Sequence, residues 1–278
     1  MFNGTGMMMS ILSDRSAIER SLVEHRVFPM VAHDTVFLRH ETLKGVCTVC
    51  GEVAQFSGFT DNERESGPCS HCGCMNRHRQ MALVIRDLLG QSLSGPFAFT
   101  DEFAIYNSEA SGPVHDALKR APGYLCSEYF GPDHVAGSSV EGVRHEDLRG
   151  LSFADASLDL VLSSDVFEHF PRPYAAHREI YRVLKVGGQH IFTVPFYPWE
   201  ALDEVRARER EGCIEYLADQ IFHEDPVRPE EGVLVWTIFG LQMIVELAKI
   251  GFTVSYWNLL APEHGIIGPW SIVFSARK

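Results

Sequence analysis

Five of the seven cysteines in this 278-residue chain fall between Cys47 and Cys74, and their spacing is the first feature that can do chemistry. Cys47-x2-Cys50 and Cys69-x2-Cys72 are separated by eighteen residues, within the spacing of a four-thiolate zinc site. Each Cys-x2-Cys makes a tight turn that brings two sulfurs to one side, and two such turns complete a tetrahedron. Gly51 and Gly73, one after each pair, suit the left-handed backbone these turns need. A structural site is closed by four protein ligands, whereas a catalytic one keeps a position open. A structural zinc on Cys47, Cys50, Cys69 and Cys72 is therefore expected. A disulfide framework fits small secreted proteins, and nothing here suggests secretion. His71 and Cys74 are spare donors beside the second pair, most simply a solvated ring and an unligated thiol. Cys126 and Cys213 stand alone; Cys126 lies in an apolar, strand-like run where a buried free thiol is the default.

Histidines and carboxylates supply the second set of candidates. Asp165, Glu168 and His169 stand at i, i+3 and i+4, which puts all three on one face of a helix. The ordinary histidine pKa of about 6.5 suits His169 to taking a proton from a hydroxyl near neutral pH. His223, Glu224 and Asp225 cluster further on, and His223 is read equally as a base, a substrate ligand or a structural ring. Phe196, Tyr197, Trp199 and Trp236 either stack on a sugar or ring or form the core of a lid.

These side chains need elements to hold them. A helix is expected over Asp14–His25, capped by Ser13, and another over Met75–Leu89, where apolar residues recur at helical spacing and Gly90 comes next. The second links the cysteine module to the rest of the chain through a turn-rich connector at Gln91–Pro96. Beyond it, strand-like and helix-like segments alternate. Strands are expected at Phe103–Tyr106, Gly123–Cys126, Leu158–Leu162, His190–Val194, Phe252–Trp257 and Ser271–Ser275. Helices are expected at Val114–Arg120, at Pro173–Leu184 closed by Gly187-Gly188, and at Leu241–Lys249 stopped by Gly251. Such alternation implies a mostly parallel sheet with helices on both faces and an antiparallel hairpin to finish. In an open α/β sheet, ligands bind outside the carboxyl ends of the strands. The residues just after the strands are therefore of interest: Asn107 to Gly112, Ser127-Glu128, His145 to Leu148, and Ser163-Ser164-Asp165.

Taken together, three ordered segments carry a resemblance. FADASLDLV (153–161), DVFEH (165–169) and REIYRVLKVGG (178–188) resemble the class I S-adenosylmethionine-dependent methyltransferases, of the type 11 kind. Outward from there, Cys47 to Arg79 is similar to the N-terminal cysteine module of one subgroup. Phe222 to Pro226 and Gly232 to Gly240 are similar to a stretch that subgroup carries near its end. The resemblance covers about residues 46–278. It implies a Rossmann-like, doubly wound, mostly parallel seven-stranded α/β sheet behind a small zinc ribbon. The expected organisation is an arm at 1–45, a zinc-ribbon-like module at 46–80 and a methyltransferase domain at 81–278, with 195–240 inserted on the substrate side.

The resemblance also implies roles. Ser108, Glu109, Ala110 and Gly112 replace the family's glycine-rich first loop, and Tyr106 stands where the family has an acid; Glu109 compensates by binding the cofactor's amino group. Glu128 matches the acid on the ribose hydroxyls, a task suited to a carboxylate that accepts two hydrogen bonds from a vicinal diol. Asp147 and Leu148 match the adenine-binding position, and Ser164 sits beneath the emerging methyl group. Ubiquinone-type relatives use an acidic-plus-His trio like Asp165, Glu168 and His169 for a divalent metal; the alternative is that Glu168 and His169 orient a helix beside the cofactor. His169 and His223 are the expected acid–base groups.

Composition narrows the acceptor. A hydrophobic fraction of 45% and a charged fraction of 22% are those of a globular chain. No run approaches the roughly 18 apolar residues a membrane helix needs, and Met1–Ser10 lacks the pattern of a secretory signal. Cytoplasmic residence is the resulting expectation. Twenty-four Lys and Arg against 37 Asp and Glu give a net charge of −13, which argues against a free DNA or RNA substrate. A small-molecule acceptor, a saccharide hydroxyl or another metabolite's oxygen or nitrogen, is expected, and a homodimer is an open expectation. Two rivals remain: an RNA methyltransferase reading its substrate through a basic face at Arg77, Arg79 and Arg86, and a non-catalytic assembly protein that has lost the first glycine loop.

Overall fold

A computed structural model describes residues 35–224 and 232–278, together with the backbone of the strand Met7–Ile11 (β1). The helix expected over Asp14–His25 and the side chain of Asp225 fall outside the described residues. Leu43–Val46 (β2) and Val53–Phe56 (β3) form the antiparallel hairpin of the cysteine module, and Asn76–Leu88 (α1) comes after it. Next come Ile105–Asn107 (β4), Gly112–Leu118 (α2), Tyr124–Cys126 (β5) and a small hairpin of Ser139–Val140 (β6) and Val143–Arg144 (β7). Leu158–Ser164 (β8), Pro173–Val183 (α3) and Leu184–Thr193 (β9) complete the middle of the chain. The 195–240 segment carries Glu204–Val205 (β10), Ala207–Arg210 (β11), Cys213–Tyr216 (β12), Phe222–His223 (β13), Val233–Leu234 (β14) and Thr237–Ile238 (β15). Gln242–Ile250 (α4), Thr253–Asn258 (β16) and Ile272–Arg277 (β17) end the chain.

Six of these strands make a mixed sheet in the order β16-β17-β9-β8-β4-β5, and β1 runs antiparallel along the outer side of β16. β5, β4, β8 and β9 pair parallel, while β17 is antiparallel to both β9 and β16, so five of the six point the same way. Two-sided burial explains the central strands. Leu158, Leu160, Val161 and Leu162 form a nearly unbroken apolar run, as strands covered on both faces do. Side-chain alternation then sorts the core. Leu160, Leu162, Ile191 and Val273 face α1 and α2, whereas Val161, Phe192 and Phe274 face α3 and α4. From β4 the chain moves outward to β5 and then returns to place β8 on the other side of β4. Strand order therefore reverses between β4 and β8, where a crevice opens in such sheets.

Two expectations fail locally. Gly187-Gly188 does not stop the helix: α3 ends at Val183 and Leu184 turns directly into β9. Gly187, at φ +84°, lies inside β9, and its pairing with β8 shifts register between Leu158 and Leu160. The Asp165–His169 segment is no α-helix either, but a single 3-10 turn at Phe167–His169 preceded by Asp165 at φ +52°.

The arginines of α1 do not form a basic face. Arg79 and Arg86 are 0% and 1% exposed. Arg79 donates to the carbonyls of Cys74 (2.6 Å), Gly67 (2.8 Å) and Gly265 (2.8 Å) and lies over the Phe56 ring. Arg86 donates to the carbonyls of Thr48 (2.6 Å) and Gly95 (2.9 Å) and lies over Phe97. These two side chains bolt the cysteine module to the domain, and Ala82 of α1 and Ile267 share its apolar core. No helix among the described residues is long and apolar enough to cross a membrane.

Candidate functional site

The four thiols of the expected metal site converge: one sulfur from each of Cys47, Cys50, Cys69 and Cys72 lies within 4.8 Å of the others. Cys47 Sγ and Cys72 Sγ are 3.9 Å apart, close to the about 3.8 Å that a zinc tetrahedron with 2.3 Å bonds requires. The donor set fits zinc. Cys74 is also near, 3.4 Å from Cys47, on the buried side of the cluster, where Arg79 Nη1 approaches its sulfur at 3.8 Å.

The second site lies at the carboxyl ends of β4, β5, β8 and β9. After β4, the Ser108 amide donates to Leu162 O (3.0 Å), which ties the loop to β8, and the Ser108 hydroxyl is buried without a hydrogen-bond partner among the described residues. Ala110 N donates to Glu128 Oε1 at 2.9 Å, so the loop backbone grips the acid that comes after β5. Gly112, at φ +89°, faces open space where a Cβ would stand. Burial pushes the Glu109 carboxyl up to about 7, against the pull of the Arg77 guanidinium. Tyr106, in the position where an acid was expected, is 1% exposed and shares a 2.8 Å hydrogen bond with Ser127. It fills the sheet interior where a charged group would need a partner.

At the end of β8, Ser164 Oγ accepts from Arg77 Nη1 (2.8 Å) and lies 3.2 Å from Thr193 Oγ1. Asp165 is clasped by Arg64, with contacts of 2.6 and 3.0 Å, and also accepts from Thr193. Burial opposes its ionisation, but Arg64 outweighs it and holds the carboxyl below its ordinary value. Both arginines belong to the cysteine module and α1, and Arg77 is itself steadied by Glu65 (2.7 Å). Arg64 carries no spacing signal that marks it in the sequence; only its place in the fold does. Asp147 is engaged by Arg149, which also reaches the Tyr129 hydroxyl (3.4 Å), rather than left open. Its carboxylate takes three contacts of 2.7–3.1 Å from Arg149. Its neighbour Leu148 is buried among Tyr106 and Leu151.

Asp165 is also separated from the trio expected on one helical face. The left-handed residue and the 3-10 turn send it to Arg64 and send Glu168 and His169 toward the 195–240 segment. There Trp236 N donates to Glu168 O (2.7 Å) and His169 Nδ1 meets Leu234 O (2.9 Å). The third member of the cluster is instead His223, from β13. Its Nδ1 lies 3.6 Å from Glu168 Oε1, and His169 Nε2 lies 3.7 Å from the same oxygen. Burial raises the Glu168 pKa, and the carboxylate beside His223 raises that of the ring. Of the aromatic set, Tyr197 and Trp199 stack on one another at 5.1 Å and are exposed, while Phe196 and Trp236 are buried.

An open α/β sheet with its polar residues gathered at the strand-order reversal defines a ligand-binding class, and comparison with known proteins narrows it. Residues 127–192 match the family described as methyltransferase domain. An uncharacterized methyltransferase of Mycobacterium marinum is 37% identical over 94 residues, 34% of this chain and 33% of that protein. One from Mycobacterium tuberculosis is 45% identical over 60 residues, 20% of this chain and 23% of that protein. The chain thus spans a third or less of these curated relatives. Among solved structures, an S-adenosylmethionine-dependent methyltransferase from Mesorhizobium loti is 17% identical with a TM-score of 0.42, over 72% of this chain and 98% of that one. A 1,6-didemethyltoxoflavin-N1-methyltransferase from Burkholderia thailandensis is 15% identical with a TM-score of 0.40, over 73% and 78%.

Proposed function

We propose that the chain is an S-adenosylmethionine-dependent methyltransferase with a structural zinc, acting on an oxygen or nitrogen nucleophile of a small molecule, a saccharide hydroxyl first among them. The observation that carries the reading is Glu128, held by the loop backbone at the strand-order reversal and inside the segment that matches methyltransferase domains. The buried, unpartnered Ser108 hydroxyl and the open space at Gly112 fit a cofactor there. When bound, the cofactor supplies a methyl group on a sulfonium, which a nucleophile takes in line.

The chain's own residues then have separate tasks. Glu128 accepts hydrogen bonds from the ribose diol. Glu109 and Arg77 offer opposite charges to the ammonium and carboxylate of the amino-acid moiety, and Ser164, held by Arg77, floors the reacting end. Asp147 would reach the adenine amine only by sharing its carboxylate with Arg149. His169 and His223 stand on the acceptor side, where the nucleophile must lose its proton. Exposed Tyr197 and Trp199 give that side a stacking surface for a sugar face. With Arg79 and Arg86 buried and Arg77 engaged by Ser164 and Glu65, α1 does not offer the basic face on which the RNA reading rested.

The test is calorimetric titration of zinc-loaded protein with S-adenosylmethionine and S-adenosylhomocysteine. Micromolar binding is expected, weakened roughly 10- to 100-fold by Glu128→Ala, as loss of a charge-assisted hydrogen-bond pair predicts. Absence of binding by either compound overturns the reading in favour of a non-catalytic assembly protein.

A further inference from the structure

The Glu168 side chain poses a problem that its surroundings leave unsolved. It is 0% exposed, and neither carboxylate oxygen has a hydrogen-bond partner among the described residues. The two nearest polar groups, His169 Nε2 and His223 Nδ1, stand 3.7 and 3.6 Å away, beyond hydrogen-bond range. A protonated Glu168 fares no better, because its O–H would also find no acceptor within reach.

The tautomer of His169 sharpens the point. Its Nδ1 faces the carbonyl of Leu234 at 2.9 Å, and a carbonyl only accepts, so Nδ1 carries the proton. In the neutral ring, Nε2 then presents a lone pair toward Glu168 Oε1. Two acceptors confront one another in a buried place, and His223 Nδ1 faces the same oxygen at 3.6 Å. One donor atom from each of the three residues lies within 4.8 Å of the others. Such an arrangement is satisfied by a cation in the middle. Donors bound to one ion at about 2.0–2.2 Å sit about 3–4 Å apart, as Glu168 Oε1 does from each of the two histidine nitrogens. Metal-bound histidines also usually donate the other ring N–H to a carbonyl or carboxylate, as His169 does to Leu234.

We infer that Glu168, His169 and His223 form a binding site for a divalent transition-metal ion, distinct from the four-thiolate site. Two imidazoles and one carboxylate suit first-row ions such as Co²⁺, Zn²⁺ or Fe²⁺ better than Mg²⁺ or Ca²⁺. Three protein ligands leave positions open. Asp165 takes no part, since Arg64 holds its carboxylate. Resting on the methyltransferase reading, those open positions take the acceptor oxygen, which selects a hydroxyl or vicinal diol over a nitrogen acceptor.

The metal site is tested without any cofactor, so its outcome is independent of that reading. Full-length protein is first loaded with zinc at the thiolates, then dialysed against Co²⁺, and bound metal is counted and its visible spectrum recorded. One cobalt per chain beyond the zinc is expected, with weak visible bands and no thiolate charge-transfer absorption. His223→Ala, at a side chain 40% exposed, should lower cobalt affinity at least tenfold while zinc content and thermal midpoint hold. Glu168→Gln should do the same. No cobalt beyond the zinc, cobalt appearing only with thiolate bands, or undiminished binding by the folded His223→Ala protein would each overturn the inference.

Discussion

Glu109 sets a pH dependence that a surface acid would not. Its carboxyl, ordinarily near 4.5, is pushed up to about 7 by burial; Arg77 pulls the other way, while Asp165, Glu128 and Glu65 add to the push. The unfolded chain releases this proton near pH 4.5 and the folded chain keeps it to about pH 7, so the folded state binds more protons in between. Stability contributed by this group is therefore full below pH 4.5 and falls as pH rises to 7, by up to about 3 kcal/mol. Thermal unfolding of Glu109→Gln should show the difference: a midpoint close to the parent's at pH 4.5 and above it at pH 7.5. Equal midpoints at both values would remove the raised pKa. Cofactor affinity should move the opposite way. An ammonium group needs the ionised carboxylate, so S-adenosylmethionine should bind more tightly as pH rises toward 7, and Glu109→Gln should flatten that slope. The sequence makes Glu109 visible as a substitute in a glycine loop, but its burial depends on what packs over the loop, and that is not a local property.

At the scale of elements, α1 was legible almost to the residue: expected over Met75–Leu89, it spans Asn76–Leu88, because its apolar spacing is a local signal. The environment of its arginines was not. A basic run reads as a solvated face, and only the carbonyls brought in from Gly67, Thr48, Gly95 and Gly265 make Arg79 and Arg86 interior groups. The planar guanidinium reaches several carbonyls at once, which a lysine cannot do. Arg79→Lys should therefore destabilise the protein by about 2–3 kcal/mol, since it strands hydrogen bonds made by a buried charge. The same change at exposed Arg172 should fall within about 0.5 kcal/mol. A denaturant midpoint for each variant, at unchanged slope, decides it. The misread glycines have a similar cause. Gly187-Gly188 after a helical run is a stop signal, yet the sheet takes Leu184 into pairing with β8 before that signal can act.

For the whole molecule, the alternation of strand and helix segments fixed where a site had to lie, at the reversal of strand order. It did not show that distant segments meet there. His223 reaches Glu168 across 55 residues, and Arg64 reaches Asp165 across 101, pairings set by how the 195–240 segment and the cysteine module dock. The docking has a functional consequence. Arg64 and Arg77 cross from the module to Asp165 and Ser164, so the thiolate cluster, the Arg79 and Arg86 bolts and the strand ends form one mechanical unit. Loosening the cluster should then weaken cofactor binding through those two arginines. Cys50→Ser, at a half-buried ligand position, is expected to lose zinc and to bind S-adenosylmethionine at least tenfold more weakly, while circular dichroism of the sheet persists. Arg77→Ala should reproduce the weaker binding with zinc content intact. If the zinc-free variant bound the cofactor as tightly as the parent, the module would be a brace for the fold alone, and the two arginines would be surface ion pairs that add little.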